Sequence, residues 1–172
     1  MGQAALREAL ALLEQRGYEG LRVADVARNA GIGLGALYRR WPTKYALVVD
    51  ALRAAAAERE IQPSEDPVED LVRGLAAVAD GLARRGGPLL AALLSDPSSE
   101  LAAAVREAKV VPILNANRER LRRVVGSVPD LEDRADACLA LILLHLMVRG
   151  RPPDEAFIRE RLLPVMLRDQ AS

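Results

Sequence analysis

Gly31 constrains this chain more than any other residue, because of what stands on either side of it. Residues 22–44 read RVADVARNAGIGLGALYRRWPTK. Val26, Ala27 and Ala30 give the segment before the glycine a small apolar face, and Leu37 and Trp41 give the segment after it another. A chain that leaves one helix sharply and enters a second needs a left-handed residue at the corner, and glycine adopts that conformation freely. Ile32 plugs the corner, and Ala27 is small enough for two helices to cross close together there. This is a helix-turn-helix pattern, whose second helix enters the major groove of DNA. Tyr38, Arg39, Arg40 and Lys44, on and just beyond that second segment, are residue types that meet phosphates.

Around this motif nearly every segment reads as helix. Ala and Leu dominate, and alternating-period strand candidates between turn residues are missing. The fold class is therefore all-α, with a three-helix helix-turn-helix domain over residues 1–45 and a helical domain over 46–172. A first helix is expected over Gln3–Arg16, with Leu6, Leu10 and Leu13 as its buried stripe and Gly17 as its end. Helices over Val23–Ala30 and Leu34–Trp41 follow, then a connector over about 44–61 with Thr43 as its cap. Asp66 caps the next helix, with Pro67 in its first turn, and Gly86-Gly87-Pro88 is expected to stop it at Arg85. A short helix over Leu89–Leu94 and a long one over Ser99–Val125, kinked by Pro112, come next. The most apolar helix spans Leu131–Arg149, and the last spans Asp154–Leu167.

Charge and chemistry narrow the function. The chain is neutral overall, yet residues 1–48 carry seven basic against four acidic side chains, an excess of three that the remainder cancels. A modestly basic end on a neutral chain suits a protein that touches a polyanion with that end only. The single Cys138 excludes an internal disulfide and points to a reducing compartment. The longest apolar run, Ala137–Val148, is too short to span a bilayer and contains His145. Met1-Gly2 lacks the downstream hydroxyl of an acylation site, and no secretory signal stands at the N-terminus, so a cytoplasmic protein without a membrane partner is expected. One His and one Cys, with no spaced His/Glu cluster, speak against a metal site, and no cofactor is expected. Phosphate loops, nucleophile elbows and acid–base sets are missing, which argues against an enzyme.

The N-terminal motifs resemble the DNA-binding domain of TetR-family (tetracycline-repressor-like) bacterial regulators. The resemblance rests on Gly17-Tyr18, on Val23-Ala24-Asp25-Val26-Ala27, on Ala30-Gly31-Ile32, and on the Gly35–Lys44 block with Leu37, Tyr38, Trp41 and Pro42 in place. It covers about residues 4–60 without a gap. Arg22 and Gly33 stand where the family often carries hydroxyls, and Leu34 and Ala36 where polar residues are frequent. The resemblance implies a homodimer that places two recognition helices in successive major grooves of a palindromic double-stranded operator. It also implies a C-terminal domain that holds a small ligand and dimerises through its last two long helices. Function is then that of a ligand-responsive regulator, most often a repressor in this family. The alternative is a small-molecule sensor of the same fold without specific DNA binding.

The DNA-contacting set expected from motif and resemblance together is Arg22, Val23, Gly33, Leu34, Gly35, Ala36, Tyr38, Arg39, Arg40, Thr43 and Lys44. Base readout would use apolar contacts to thymine methyls and either Arg39 or Arg40, with phosphates setting the register. Phe157 is the only aromatic after Tyr45, so an effector would be small and apolar. Leu90, Leu94, Val110, Leu114 and Leu141 would line its site, with His145 as the polar group that orients it. A helix apolar all round from Ala137 to Val148 must be covered on most faces, which a small domain can hardly do alone. Leu139, Ile142, Leu143 and Leu146, with Phe157, Ile158, Leu162 and Val165 of the last helix, would therefore form a four-helix interface about a two-fold axis.

Overall fold

The computed structural model describes residues 2–57 and 61–168, and no strand occurs among them. Helices α1 (Gly2–Gly20), α2 (Val23–Asn29), α3 (Leu34–Arg40) and α4 (Lys44–Ala57) come first. They are followed by α5 (Pro67–Ser95), α6 (Glu100–Val105), α7 (Val111–Val125), α8 (Leu131–Arg149), α9 (Glu155–Phe157) and α10 (Leu163–Leu167). Wider π-helical turns at Arg106–Val110 and Ile158–Leu162 join α6 to α7 and α9 to α10. The chain forms two compact units. One is Met1–Glu60 with Ala92–Val110, the other Ile61–Ala91 with Val111–Ser172. Residues 46–57 and 92–110, expected in the second domain, thus belong to the first unit, where α4 packs on α1, α6 and the Arg106–Val110 turn.

In the first unit, α1 buries Ala5, Ala9, Leu12 and Leu13. The expected stripe is displaced, since Leu6 and Leu10 are only half-buried. Two alanines on the contact face let α4 approach closely, and α4 answers with Leu47, Val48, Ala51 and Leu52. Gly17 breaks the helical path within α1, with φ 68° and ψ 178°, and this turns Tyr18 into the core. Thr43 caps α4 as expected, its Oγ1 accepting from the Ala46 N–H at 3.0 Å. Such a cap is worth about 1 kcal/mol.

In the second unit, Leu71, Leu75, Leu121, Ile142, Ile158, Leu162 and Met166 make a fully buried core from α5, α7, α8 and the last segment. Asp66 caps α5, accepting from the N–H groups of Val68 and Glu69. The expected stop at Gly86-Gly87-Pro88 does not occur: α5 runs on to Ser95. Gly87 has no Cβ to clash with the Pro88 ring, so the residue before this proline stays helical at little cost. The two other helix-interior prolines do disturb the path. Pro112 and Pro164 each follow a π turn that ends two residues earlier. A wider turn moves the carbonyl that the pyrrolidine ring would otherwise strike. Asn117 Nδ2 donates to Ala135 O at 2.9 Å, tying α7 to α8. Arg118 grips Asp136 through Nε at 3.1 Å and Nη2 at 2.6 Å. No helix among the described residues is long and apolar enough to cross a membrane.

Candidate nucleic-acid interface

The turn between α2 and α3 is built from backbone hydrogen bonds. Ile32 N–H donates to Ala27 O at 2.9 Å and Gly31 N–H donates to Arg28 O at 3.2 Å. These two bonds satisfy the last carbonyls of α2 and require the left-handed corner that Gly31 supplies with φ 67°. Val23, Val26 and Ala27 are buried on α2, and Leu37 alone is buried on α3. One anchored side chain in seven leaves the rest of α3 to solvent. Leu34 and Tyr38 are 42% and 45% exposed, large values for such bodies, and Gly35, Ala36, Arg39 and Arg40 are exposed beside them.

The expected DNA set separates into three kinds of position. Leu34, Gly35, Ala36, Tyr38, Arg39 and Arg40 share the solvent side of α3, with Gly33 and Arg22 exposed at the helix starts and Thr43 exposed at the start of α4. Val23 is a correction. Its side chain is buried in the first unit, as the α2 packing face requires, and cannot meet DNA. Lys44 is half-buried and already engaged: its Nζ donates to Tyr18 O at 3.0 Å and stands 4.2 Å from the centre of the Tyr18 ring. A cation in the first turn of α4 is disfavoured by the helix dipole, and that carbonyl offsets the penalty.

Several contacts of this unit escaped the sequence. Trp41 is buried, and its Nε1–H donates to Asp50 at 2.9 Å, which fixes the end of α3 to α4. Asp25 accepts from Arg16 at 2.8 Å and from Arg28 at 2.5 Å. The Tyr18 hydroxyl donates to Glu100 at 2.7 Å, and the Tyr45 hydroxyl to Glu107 at 2.6 Å. Burial, and next the bond to Glu100, push the Tyr18 phenol well above its ordinary range. Glu107 also pairs with Arg53 at 2.7 Å. Both carboxylates lie more than fifty residues beyond their partners, so no local pattern marks them.

The second unit sorts the remaining expectations. Ile142, Ile158 and Leu162 are fully buried in the chain's own core and cannot meet a partner subunit. Leu139, Phe157 and Val165 lie half-buried against that core, and Leu143 and Leu146 are half-buried as well. What α8 leaves to solvent is a different stripe: Leu141, Leu144, Met147 and Val148, at 37%, 54%, 70% and 70% exposure, with Ala137 and Ala140. A helix apolar on every side carries no periodic signal of which side its own domain covers, so its core position Ile142 could not be told from its neighbours. The expected effector residues do not gather in one unit. Leu94 and Val110 belong to the first, Leu90, Leu114, Leu141 and His145 to the second. Leu94 and Leu141 are exposed and the other four half-buried. His145 meets Phe157 edge to face with ring centres 4.5 Å apart, and its buried Nε2 has no hydrogen-bond partner among the described residues. A cleft of about 160 Å³ in this unit is lined by Ile61, Pro63, Asp70, Ala116, Glu119, Arg120 and Arg123, none of them expected. Burial pushes the Cys138 thiol up to about 11, which makes it a poor nucleophile.

A glycine-cornered helix pair with an exposed, basic second helix, followed by a helical second unit, defines the class of helix-turn-helix DNA-binding regulators. Comparison with known proteins specifies it further. Residues 5–51 match the family model for bacterial regulatory proteins of the tetR family, and residues 61–162 match that for the tetracyclin repressor-like C-terminal domain. The chain belongs to the TetR family of transcriptional regulators, which are DNA-binding proteins and not enzymes. It is 35% identical over 103 residues to the uncharacterized HTH-type transcriptional regulator Mb2274c of Mycobacterium bovis, a match that takes in 59% of this chain and 52% of that one. The chain thus spans about half the length of that relative. It is 22% identical over 173 residues to the uncharacterized HTH-type regulator YdeS of Bacillus subtilis, covering 94% and 85% of the two chains. The fold is also that of the regulator FadR from Bacillus subtilis, solved in complex with stearoyl-CoA, with a TM-score of 0.63, 14% identity and 96% and 97% coverage.

Proposed function

We propose that this protein is a ligand-responsive repressor that binds a palindromic operator as a homodimer. The observation that carries the reading is the contrast between two exposed surfaces. The free side of α3 is basic and aromatic, suited to a groove lined by phosphates. The free side of α8 is aliphatic, with Leu144, Met147 and Val148 more than half exposed, which suits a second copy of the same helix. Arg22, Gly33, Tyr38, Thr43 and Lys44 would hold phosphates and set the register. Lys44 would do so by turning from the Tyr18 carbonyl or by sharing its protons with it.

The effector is a small apolar molecule with one polar group. Support comes from His145, whose buried and unpartnered Nε2 lies on the core-facing side of α8 beside Phe157, with Leu90 and Leu114 half-buried in the same unit. A buried polar atom without a partner costs about 1–3 kcal/mol, and a ligand that meets it recovers that cost. The acyl ligand of the FadR structure is consistent with an aliphatic occupant of this fold.

The test is a titration of the DNA upstream of the protein's own coding sequence at several salt concentrations. Binding that weakens steeply with salt, and a further release by fatty-acyl compounds that His145→Ala blunts, is the expected result. Equal affinity for that DNA and for a scrambled duplex would favour the sensor without specific DNA binding.

A further inference from the structure

We infer that Arg39, and not Arg40, is the side chain of α3 that reads a base, and that it selects one guanine in each half-site. The inference rests on the operator-binding reading above and names the chemistry of that same surface. A single buried side chain, Leu37, anchors α3 and fixes its rotation. At 100° per residue, Gly35 and Arg39 both lie about 160° from Leu37, pointing straight away from the unit, whereas Arg40 lies only about 60° from it, on the flank.

The side chains follow that geometry. The guanidinium of Arg40 is turned back over the Trp41 ring, 5.0 Å from its centre. It also lies against the start of α1, where a Cβ built on Gly2 would stand 3.2 Å from both Cζ and Nη1. Trp41 is itself held by Asp50. Arg40 is thereby committed to fixing the end of α3. Neither arginine makes an ion pair or hydrogen bond among the described residues; what sets them apart is that Arg39 has no ring contact to hold its guanidinium back. Its Nη1 lies 3.9 Å from where a Gly35 Cβ would be, so the guanidinium runs back along the helix over bare backbone. Gly35 therefore clears the centre of the outward face and lets α3 seat deeply, with Arg39 the one cation directed into the groove.

A planar guanidinium on that line donates to the paired acceptors of guanine, O6 and N7, and fits no other base edge as well. Leu34 and Ala36 offer only apolar contact, which favours thymine methyls weakly. The operator should thus carry one strongly fixed G·C pair per half-site amid loosely specified neighbours. Arg40 is a positioning residue: it sets how α3 is presented, not which base is chosen.

The experiment is selection from random duplexes by the full chain, run in parallel with Arg39→Ala, Arg39→Lys and Arg40→Ala. Both positions are exposed, so the variants fold. Wild type should return an inverted repeat with one invariant G·C per half-site, and replacing that pair should weaken binding by about 5- to 100-fold. Arg39→Ala should bind the original and replaced sites within about twofold of each other. Arg39→Lys, whose ammonium still donates to O6 and N7, should keep a weaker guanine preference, with an unchanged salt dependence because the charge is kept. Arg40→Ala should keep the guanine preference while binding every site less tightly. Loss of that preference in Arg40→Ala, or its survival in Arg39→Ala, overturns the assignment and leaves the operator-binding reading standing. A wild-type chain that enriches no sequence overturns both.

Discussion

Helices α3 and α8 stand at opposite ends of what an exposed helix can be. The first gives one side chain of seven, Leu37, to the core and offers solvent a small, charged and aromatic face. The second buries Leu131, Arg134, Ala135, Cys138 and Ile142 and offers solvent a row of aliphatics. An exposed face whose cost in water is low can wait for a polyanion. A row such as Leu144, Met147 and Val148 carries a free-energy cost in water at every residue, which a covering partner relieves. On the function proposed above, polar exposure marks the surface for DNA, and apolar exposure the surface for another copy of the chain.

The largest effects should come from the anchors of the two helices. Leu37→Ala and Ile142→Ala each remove a fully buried side chain and should cost about 2–5 kcal/mol in chemical denaturation. If Ile142→Ala cost as little as a surface change, the division of α8 into a core side and a free side would be wrong. Next is Leu144→Glu on the free side. It should weaken self-association by about 100-fold in sedimentation while the circular dichroism of the subunit is unchanged. Dimers that tolerate the charge would move the interface elsewhere.

The second unit's polar clamp comes next. Asp70 is buried and accepts from the Ser64 hydroxyl at 2.6 Å, the Ser64 N–H at 2.8 Å, Arg123 at 2.7 Å and also Arg73. These bonds, that of the Ser64 hydroxyl foremost, hold its carboxyl well below the usual carboxylate range. A depressed folded-state value stabilises the protein above the unfolded value, near about pH 4, and the contribution is lost as pH falls below it. Asp70→Asn should therefore melt several degrees lower at neutral pH and show a smaller further drop than wild type between about pH 5 and pH 3. Parallel pH curves for the two proteins would contradict the clamp. The smallest effect is Lys44→Ala, which should weaken DNA binding alike on all sequences and lower the salt slope by about one per contact. An unchanged slope would leave Lys44 as a partner of Tyr18 alone.

The same contrast explains how much could be read beforehand. Around Gly31 each position has one use, so the starts of α2, α3 and α4, the Thr43 cap and the outward row of α3 were legible from residue type and spacing. Val23 was misjudged because a position next to exposed Arg22 turns inward one residue later. In the second unit the ends of α8 were legible, Asp130 and Gly150 flanking it, but the facing was not. Uniform Leu, Ile and Ala say that a helix is covered without saying by what. Gly87-Pro88 misled for a related reason, since a breaker acts only if its neighbour's Cβ and the surrounding packing let it. The bonds of Tyr18 to Glu100, Tyr45 to Glu107 and Arg123 to Asp70 join residues 82, 62 and 53 positions apart, where no periodicity reaches.

The most direct measurement is the mass of the protein in solution, free and on a selected inverted repeat, by sedimentation with wild type beside Leu144→Glu. Two copies without DNA, two copies on one duplex with half-sites about one helical turn apart, and the loss of both states in the variant are the predicted results. A free monomer that binds one half-site as well as two, or a Leu144→Glu protein that still pairs and still spans the repeat, would contradict the account.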